Sequence, residues 1–192
     1  LSANKTKVLD LGNDAYGNPI EYKEIGAGGN WFPTIVGESR MQLYGYTIEG
    51  VYKTDQEAID NGEPNKKAGD YKFKNWDNKG VINDSEDRTV LSKLEPDFTF
   101  GFNNKFSIKN FDFSFLFVGS VGNDIVNEFR KYNITLNGEW VPTYEAFNNR
   151  WSNNSTDSKF DKPSNKSGSS IRDYPSTLWV ENGTYVRLRD VT

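Results

Sequence analysis

The sequence contains no cysteine and no histidine. Thiol and imidazole nucleophiles, bases and metal ligands are therefore excluded together. Any bound metal has to be a hard cation on oxygen ligands. No apolar run approaches the roughly 20 residues that a membrane-crossing helix needs. No leader with a charged and then an apolar segment follows Leu1. Positive charge is not in excess either, since 23 Lys and Arg face 27 Asp and Glu. Without a basic stripe, nucleic acid is not an expected partner.

What the chain does have is aromatics. Its 192 residues include 13 Phe, 10 Tyr and 5 Trp, although the mean hydropathy is only −0.76. Disorder throughout is excluded by that aromatic content. High polarity with many aromatics suits a β protein with long hydrated loops, and equally a water-lined barrel with an aromatic girdle. The stretch from Pro96 to Ile125 carries the strongest pattern. Phe98, Phe100 and Phe102 alternate with Thr99 and Gly101, and Phe111, Phe113, Phe115 and Phe117 alternate with Asp112, Ser114 and Leu116. Successive strand side chains point to opposite faces, so each run has one aromatic and one small or polar face. Ile108-Lys109-Asn110 leaves room for a tight turn only. The pattern predicts a hairpin of two strands of about 10 residues each. A soluble β-sandwich would use the aromatic face as core, and a membrane-spanning barrel would turn it to lipid.

Taken in order, Lys7–Gly12 and Met41–Tyr52 read as strands, with Gly45 and Gly50 marking a kink or close packing. Residues 13–30 and Asn61–Gly69 read as loops. Thr54-Asp-Gln-Glu57 has capping-box spacing and predicts a short helix through Ala58 and Ile59. Asn123–Lys131 reads as one or two helical turns, and Asn148–Ser170 as an exposed loop. Leu178–Val180 and Tyr185–Thr192 form either one bulged strand or a hairpin about Asn182-Gly183. The turn on one side of the Phe hairpin is short and the loops on the other are long, the asymmetry of outer-membrane barrels. Only about five strands are legible, fewer than the eight of the smallest such barrel. The start at Leu1 and the strand pattern running to Thr192 lead us to expect a piece of a longer polypeptide.

Asn75–Glu86 has the spacing of a calcium loop. Gly80 stands at position 6, Asp77 and Asn83 at positions 3 and 9, and Glu86 at position 12. Two departures weigh against an ion, Asn75 at position 1 and the cation Lys79 at position 5. The alternative is an Asx-rich turn with Gly80 in a left-handed conformation. The expectation is no resident cofactor, with calcium as the one candidate. No catalytic set stands out, and Asp84, Glu86 and Asp87 read as a solvated acidic turn. Trp31, Trp76, Trp140, Trp151 and Trp179 suit girdle or loop packing more than sugar stacking.

Taken together, the landmarks resemble the C-terminal half of the SusC/RagA-type TonB-linked outer-membrane proteins of Bacteroidetes. The matching pieces are Gly45-Tyr46 with Glu49-Gly50-Val51-Tyr52-Lys53-Thr54, Ala68-Gly69-Asp70-Tyr71-Lys72-Phe73 and Asp87-Arg88-Thr89. They continue with Pro96–Phe102, Phe111–Phe115, Gly119-Ser120, Gly122-Asn123, Arg150-Trp151-Ser152 and Trp179–Thr192. Each is weak alone, and their order and spacing from Val36 onward are specific. The resemblance implies an all-β fold, residues 1–192 being a segment of a large antiparallel transmembrane barrel (22 strands in this class) with long extracellular loops. The plug domain and the remaining strands would lie outside this sequence. It also implies no enzyme activity, location in the bacterial outer membrane, and contact with the lipid bilayer. The implied function is import of oligosaccharides or peptides. The implied partners are a SusD-type surface lipoprotein and the TonB complex, engaged through the plug. The alternative function is that of a soluble, secreted glycan-binding β-sandwich. The family's Asp-rich turn is altered here at Asn75 and Lys79 and is longer by one residue before Asp87-Arg88.

Overall fold

A computed structural model describes residues 1–24, 31–40, 42–83, 86–136, 138, 140–164 and 174–192. Within these residues the strands are β1 (Tyr22–Lys23), β2 (Thr34–Ile35), β3 (Gln42–Tyr46), β4 (Ile48–Val51), β5 (Tyr71–Phe73) and β6 (Arg88–Lys93). They continue with β7 (Phe98–Ile108), β8 (Phe111–Val121), β9 (Asp124–Val126), β10 (Val180–Asn182) and β11 (Tyr185–Val191). The helices are α1 (Asp55–Asp60), α2 (Glu128–Asn133) and α3 (Tyr144–Asn148). The chain divides into two units. One comprises Leu1–Leu43, Ser92–Val126 and Glu181–Thr192, and the other Tyr44–Leu91 and Asn127–Val180.

The first unit is built on a three-stranded antiparallel sheet in the order β11-β8-β7. β7 and β8 are each 11 residues long and pair without a register shift from Phe98↔Val121 to Ile108↔Phe111. At about 3.3 Å per residue such a strand is ~36 Å long, and tilted by ~45° it crosses about 25 Å, the height of an apolar outer-membrane band. Lys109 and Asn110 close the hairpin, Lys109 at φ 56°. A positive φ at the first central position is what the primed hairpin turns require. On the outer edge of β7, Ser2 exchanges both backbone hydrogen bonds with Thr99, at 2.9 and 2.8 Å.

The second unit has a core of Tyr46, Val51, Tyr52, Ala58, Tyr71, Phe73, Ile134, Leu136, Ala146, Phe160 and Trp179, all buried. β4 pairs antiparallel with β5. α1 begins where the capping box predicts it. Thr54 Oγ1 accepts from the Glu57 amide at 3.1 Å, and Glu57 Oε2 accepts from the Lys53 amide at 2.8 Å. The first bond satisfies a helix donor that lacks an intrahelical acceptor, and the second ties Glu57 back to the residue before the cap. Gly45 lies so close to the chain at Pro175 that a Cβ would stand 2.1 Å from its carbonyl oxygen.

Several elements differ from the sequence expectations. The eleven strands exceed the five expected because most are two to six residues long, too short to show alternation. Lys7–Gly12 is not a strand, and Val8 exchanges backbone bonds with Glu38 and Gly37. Met41–Tyr52 breaks at Thr47 into β3 and β4, and Met41 itself lies outside the described residues. Asp124–Val126 is β9, so the helix α2 starts later than expected. The two C-terminal runs do not form a hairpin: Leu178 and Trp179 lie in a 3-10 turn over Thr177–Trp179, and strand begins at Val180, with β10 on β9 and β11 on β8. Within the expected exposed loop, Phe160 is buried and bridges to Arg150. The part at 165–170 lies outside the described residues.

Candidate functional site

Paired residues of a ladder share a face, so the register decides which side chains stand together. Phe98, Phe100, Phe102, Phe106 and Ile108 of β7 lie opposite Val121, Gly119, Phe117, Phe113 and Phe111 of β8. Asn104 faces Phe115 in the same row. The seven expected phenylalanines thus form one face, and the register adds Phe106 and Ile108. From β11 come Val186 and Leu188 opposite Gly119 and Phe117, and Val191 opposite Phe115. Strict alternation along Tyr185–Val191 would have put Asp190 on this face. A bulge between Leu188 and Asp190 prevents it, sending Asp190 to the face of Leu116 and bringing Val191 round to the phenylalanines.

The rings pack on one another around Phe115. Its centroid is 5.5 Å from Phe117, 5.8 Å from Phe113, 6.0 Å from Phe106 and 6.5 Å from Phe102. Phe100 lies across Gly119, where a Cβ would meet the ring at 2.4 Å. No second sheet covers this face among the described residues. Phe102 is 56% exposed and Phe111 79%, and Val186, Leu188 and Val191 are each at least half exposed. Leaving so much contiguous apolar surface in water is unfavourable. A sandwich requires a covering sheet, whereas a bilayer covers the face with acyl chains. No helix among the described residues is long and apolar enough to cross a membrane, so the strands are the elements that would do so. The single polar intruder is Asn104, whose Nδ2 is enclosed without a hydrogen-bond partner.

The opposite face carries Thr99, Gly101, Asn103, Lys105 and Ser107 of β7, and Asp112, Ser114, Leu116, Val118 and Ser120 of β8. β11 adds Tyr185, Arg187 and Asp190. Ser107 Oγ donates to Asp112 Oδ1 at 2.5 Å, and the Arg187 guanidinium lies 5.8 Å from the Tyr185 ring centre. Among the paired residues, four charged side chains stand on this face and none on the other, which matches a water-lined lumen.

The turn with calcium-loop spacing is closed by its own side chains. Asn75 Oδ1 accepts from the Asn78 amide at 2.6 Å, and Asn75 Nδ2 donates to the Gly80 carbonyl at 3.0 Å. Gly80 has φ 107°, the left-handed conformation expected of it. Lys79 Nζ stands 3.7 Å from both Asp77 Oδ2 and Glu86 Oε1. Asn83 Nδ2 donates to Glu86 Oε2 at 3.1 Å. Asp77, Asn83 and Glu86 therefore do come near one another, with an ammonium between the two carboxylates. The Lys79 amide and, behind it, the Lys79 charge hold the Asp77 carboxyl below its usual range. Among the described residues no three acidic side chains gather in metal-holding geometry.

Asp87 corrects the reading of a solvated acidic turn. It is fully buried, Oδ1 accepting from the Trp76 amide and Oδ2 from the Asn83 amide, both at 2.9 Å. Its neighbour Arg88 is also buried and lies over the Tyr44 ring, 4.9 Å from its centre. Of the tryptophans, Trp179 is core, Trp140 leans on Tyr132 at 5.0 Å, and Trp76 has Lys74 Nζ 3.6 Å above its ring.

No family model matches the chain. Over all 192 of its residues it is 32% identical to the TonB-dependent receptor P26 of Formosa agariphila, of which it covers 19%. Over 150 residues, 77% of the chain, it is 29% identical to the TonB-dependent receptor SusC of Bacteroides thetaiotaomicron and covers 13% of it. Among solved structures, that of the RagAB peptide transporter matches 98% of the chain and 19% of its own, with a TM-score of 0.68 at 16% identity. The uncovered aromatic face and these likenesses define one class of fold, a segment of a large outer-membrane β-barrel. Along its whole length the chain is similar to one segment of the TonB-dependent receptors, the family of these curated relatives. It spans about a fifth of the length of the curated relative that it matches end to end.

Proposed function

We propose that this chain supplies wall strands and outer loops to a TonB-dependent importer of oligosaccharides or peptides. The observation that carries the reading is the three-stranded sheet, with an uncovered aromatic face on one side and charged and hydroxylic residues on the other. β7, β8 and β11 form part of the barrel wall near its C-terminal end. The Lys109–Asn110 turn faces the periplasm, and the excursions leaving the other strand ends face the exterior. The plug that closes the lumen and contacts the TonB complex belongs to the remainder of the receptor. Cargo binds at the outer face with a SusD-type lipoprotein, and plug movement opens the path inward. Similarity to the RagAB peptide transporter supports a peptide as cargo, and the curated relatives, TonB-dependent receptors, support the TonB-dependent step. The turn at Asn75–Glu86 takes no calcium, because Lys79 supplies the positive charge between Asp77 and Glu86.

The test is fractionation of cells that express the full-length receptor and, separately, growth of a strain lacking its gene on defined glycans and peptides. The reading expects the receptor in the outer-membrane fraction and loss of growth on one cargo class. Recovery as a soluble, detergent-independent protein would sink it.

A further inference from the structure

In the second unit, the excursion from Arg150 to Lys162 is clasped to the strand β5 and the turn before it. The Lys162 amide donates to the Gly69 carbonyl at 2.8 Å, and Lys162 Nζ donates to the Ala68 carbonyl at 2.8 Å while pairing with Asp70 at 3.2 Å. The Trp151 ring packs against Gly69, where a Cβ would stand 2.7 Å from it. Beneath this clasp the polar accounting fails. The Tyr71 hydroxyl and Asp161 Oδ1 are both enclosed, and neither has a hydrogen-bond partner. Tyr71 is 2% exposed. Buried polar groups without partners are rare, and an unpaired buried carboxylate is costly when charged.

We propose that Asp161, whose Oδ1 is enclosed near Tyr71, is a proton-dependent latch that fastens the 150–162 excursion to β5. Protonated, the carboxyl is neutral and tolerates its enclosure. Ionised, it carries charge on an enclosed Oδ1 that has no hydrogen-bond partner and that opening of the excursion would hydrate. The groups facing it argue the same way. Asp70 precedes β5 and repels the ionised form. Lys162 is divided between Asp70 and the Ala68 carbonyl. Lys66 and, less strongly, Lys162 attract the ionised form, and Arg130 of α2 acts on Tyr71. Burial, seconded by the Asp70 charge, raises the Asp161 carboxyl from 3.8 to about 7. The Tyr71 hydroxyl is likewise pushed up by burial and by Asp161.

The sign follows from linkage. A carboxyl bound more tightly to its proton when closed favours closure most at low pH, and this preference erodes as pH rises to the closed-state value. Between an open-state value of 3.8 and a closed-state value of about 7, the open fraction rises up to tenfold per pH unit, then levels off. The experiment is hydrogen exchange followed by mass spectrometry on the full-length receptor in detergent. Protection factors of peptides within 150–162, corrected for intrinsic exchange, are compared from pH 5 to 8. The expected result is protection that falls about tenfold per unit from pH 5 and is flat above pH 7. Asp161→Asn should remain closed and lose this dependence. Asp70→Asn, which removes the like charge, should move the levelling-off to lower pH. Wild-type protection independent of pH, or an unchanged pH profile in either variant, would overturn the latch.

Discussion

Placing an arginine at residue 102 asks the sheet which of its faces meets lipid. Phe102 is the fifth of eleven residues in β7, close to mid-strand, and is 56% exposed on the aromatic face. An arginine on the lipid side of a barrel strand near the bilayer midplane costs about 2–4 kcal/mol. Loss of the ring contact with Phe115, 6.5 Å away, adds roughly 0.5–1.5 kcal/mol. Phe102→Arg should therefore destabilise the folded receptor by about 3–5 kcal/mol, two to three and a half decades in the folding constant. Asn103→Arg, one residue along on the face of Leu116 and Asp190, should cost less than ~1 kcal/mol. The assay is denaturant titration of full-length receptor refolded into phospholipid vesicles, comparing midpoints at constant slope. A slip of one residue exchanges every face. An Asn103→Arg variant several kcal/mol less stable than Phe102→Arg would refute the assignment.

Other perturbations test the second unit and its turn. Asp87→Ala leaves the Trp76 and Asn83 amides without their acceptor and should cost about 3 kcal/mol, with Asp87→Asn costing less, by thermal unfolding. Gly45→Ala drives a methyl into the Pro175 carbonyl and should cost at least ~1–3 kcal/mol, read as loss of exchange protection in β3. The Lys53 amide and, behind it, Lys72 hold the Glu57 carboxyl below its ordinary 4.5. Its contribution is therefore present above that value and lost as pH falls below it. Protection of α1 should drop between pH 5 and 3, and Glu57→Gln should remove that drop. Chelator treatment should leave the unfolding of the Asn75–Glu86 turn unchanged, while Lys79→Ser should loosen it by less than ~1 kcal/mol, since its pairs are exposed.

The hairpin was legible because eleven-residue strands give five or six repeats of the period, and Lys109-Asn110 left only one place to turn. The capping box at Thr54 and Glu57 was legible for a similar reason, since the contacts that make it are local. What remained hidden was non-local. β4 and β5 are short, and their pairing depends on packing around Tyr52 and Phe73. The bulge beyond Leu188 cannot be seen in Tyr185–Val191 until Ser120–Phe115 is laid beside it. Asp87 read as solvated because its partners, two backbone amides, leave no mark in composition. The face of the phenylalanines was readable from alternation, but whether core or lipid covers it was not. That distinction came from the uncovered register of three strands and from the receptors that share the sequence.

The most direct test of the central claim is a spin-label scan of β7. One label at a time is placed at positions 98–108 of the full-length receptor in vesicles, and its collisions with dissolved oxygen and with a water-soluble nickel chelate are compared. The account predicts period-two alternation, with oxygen favoured at the even positions from 98 to 108 and the chelate at the odd positions between them. Oxygen maxima at the odd positions, or no alternation at all, would contradict it.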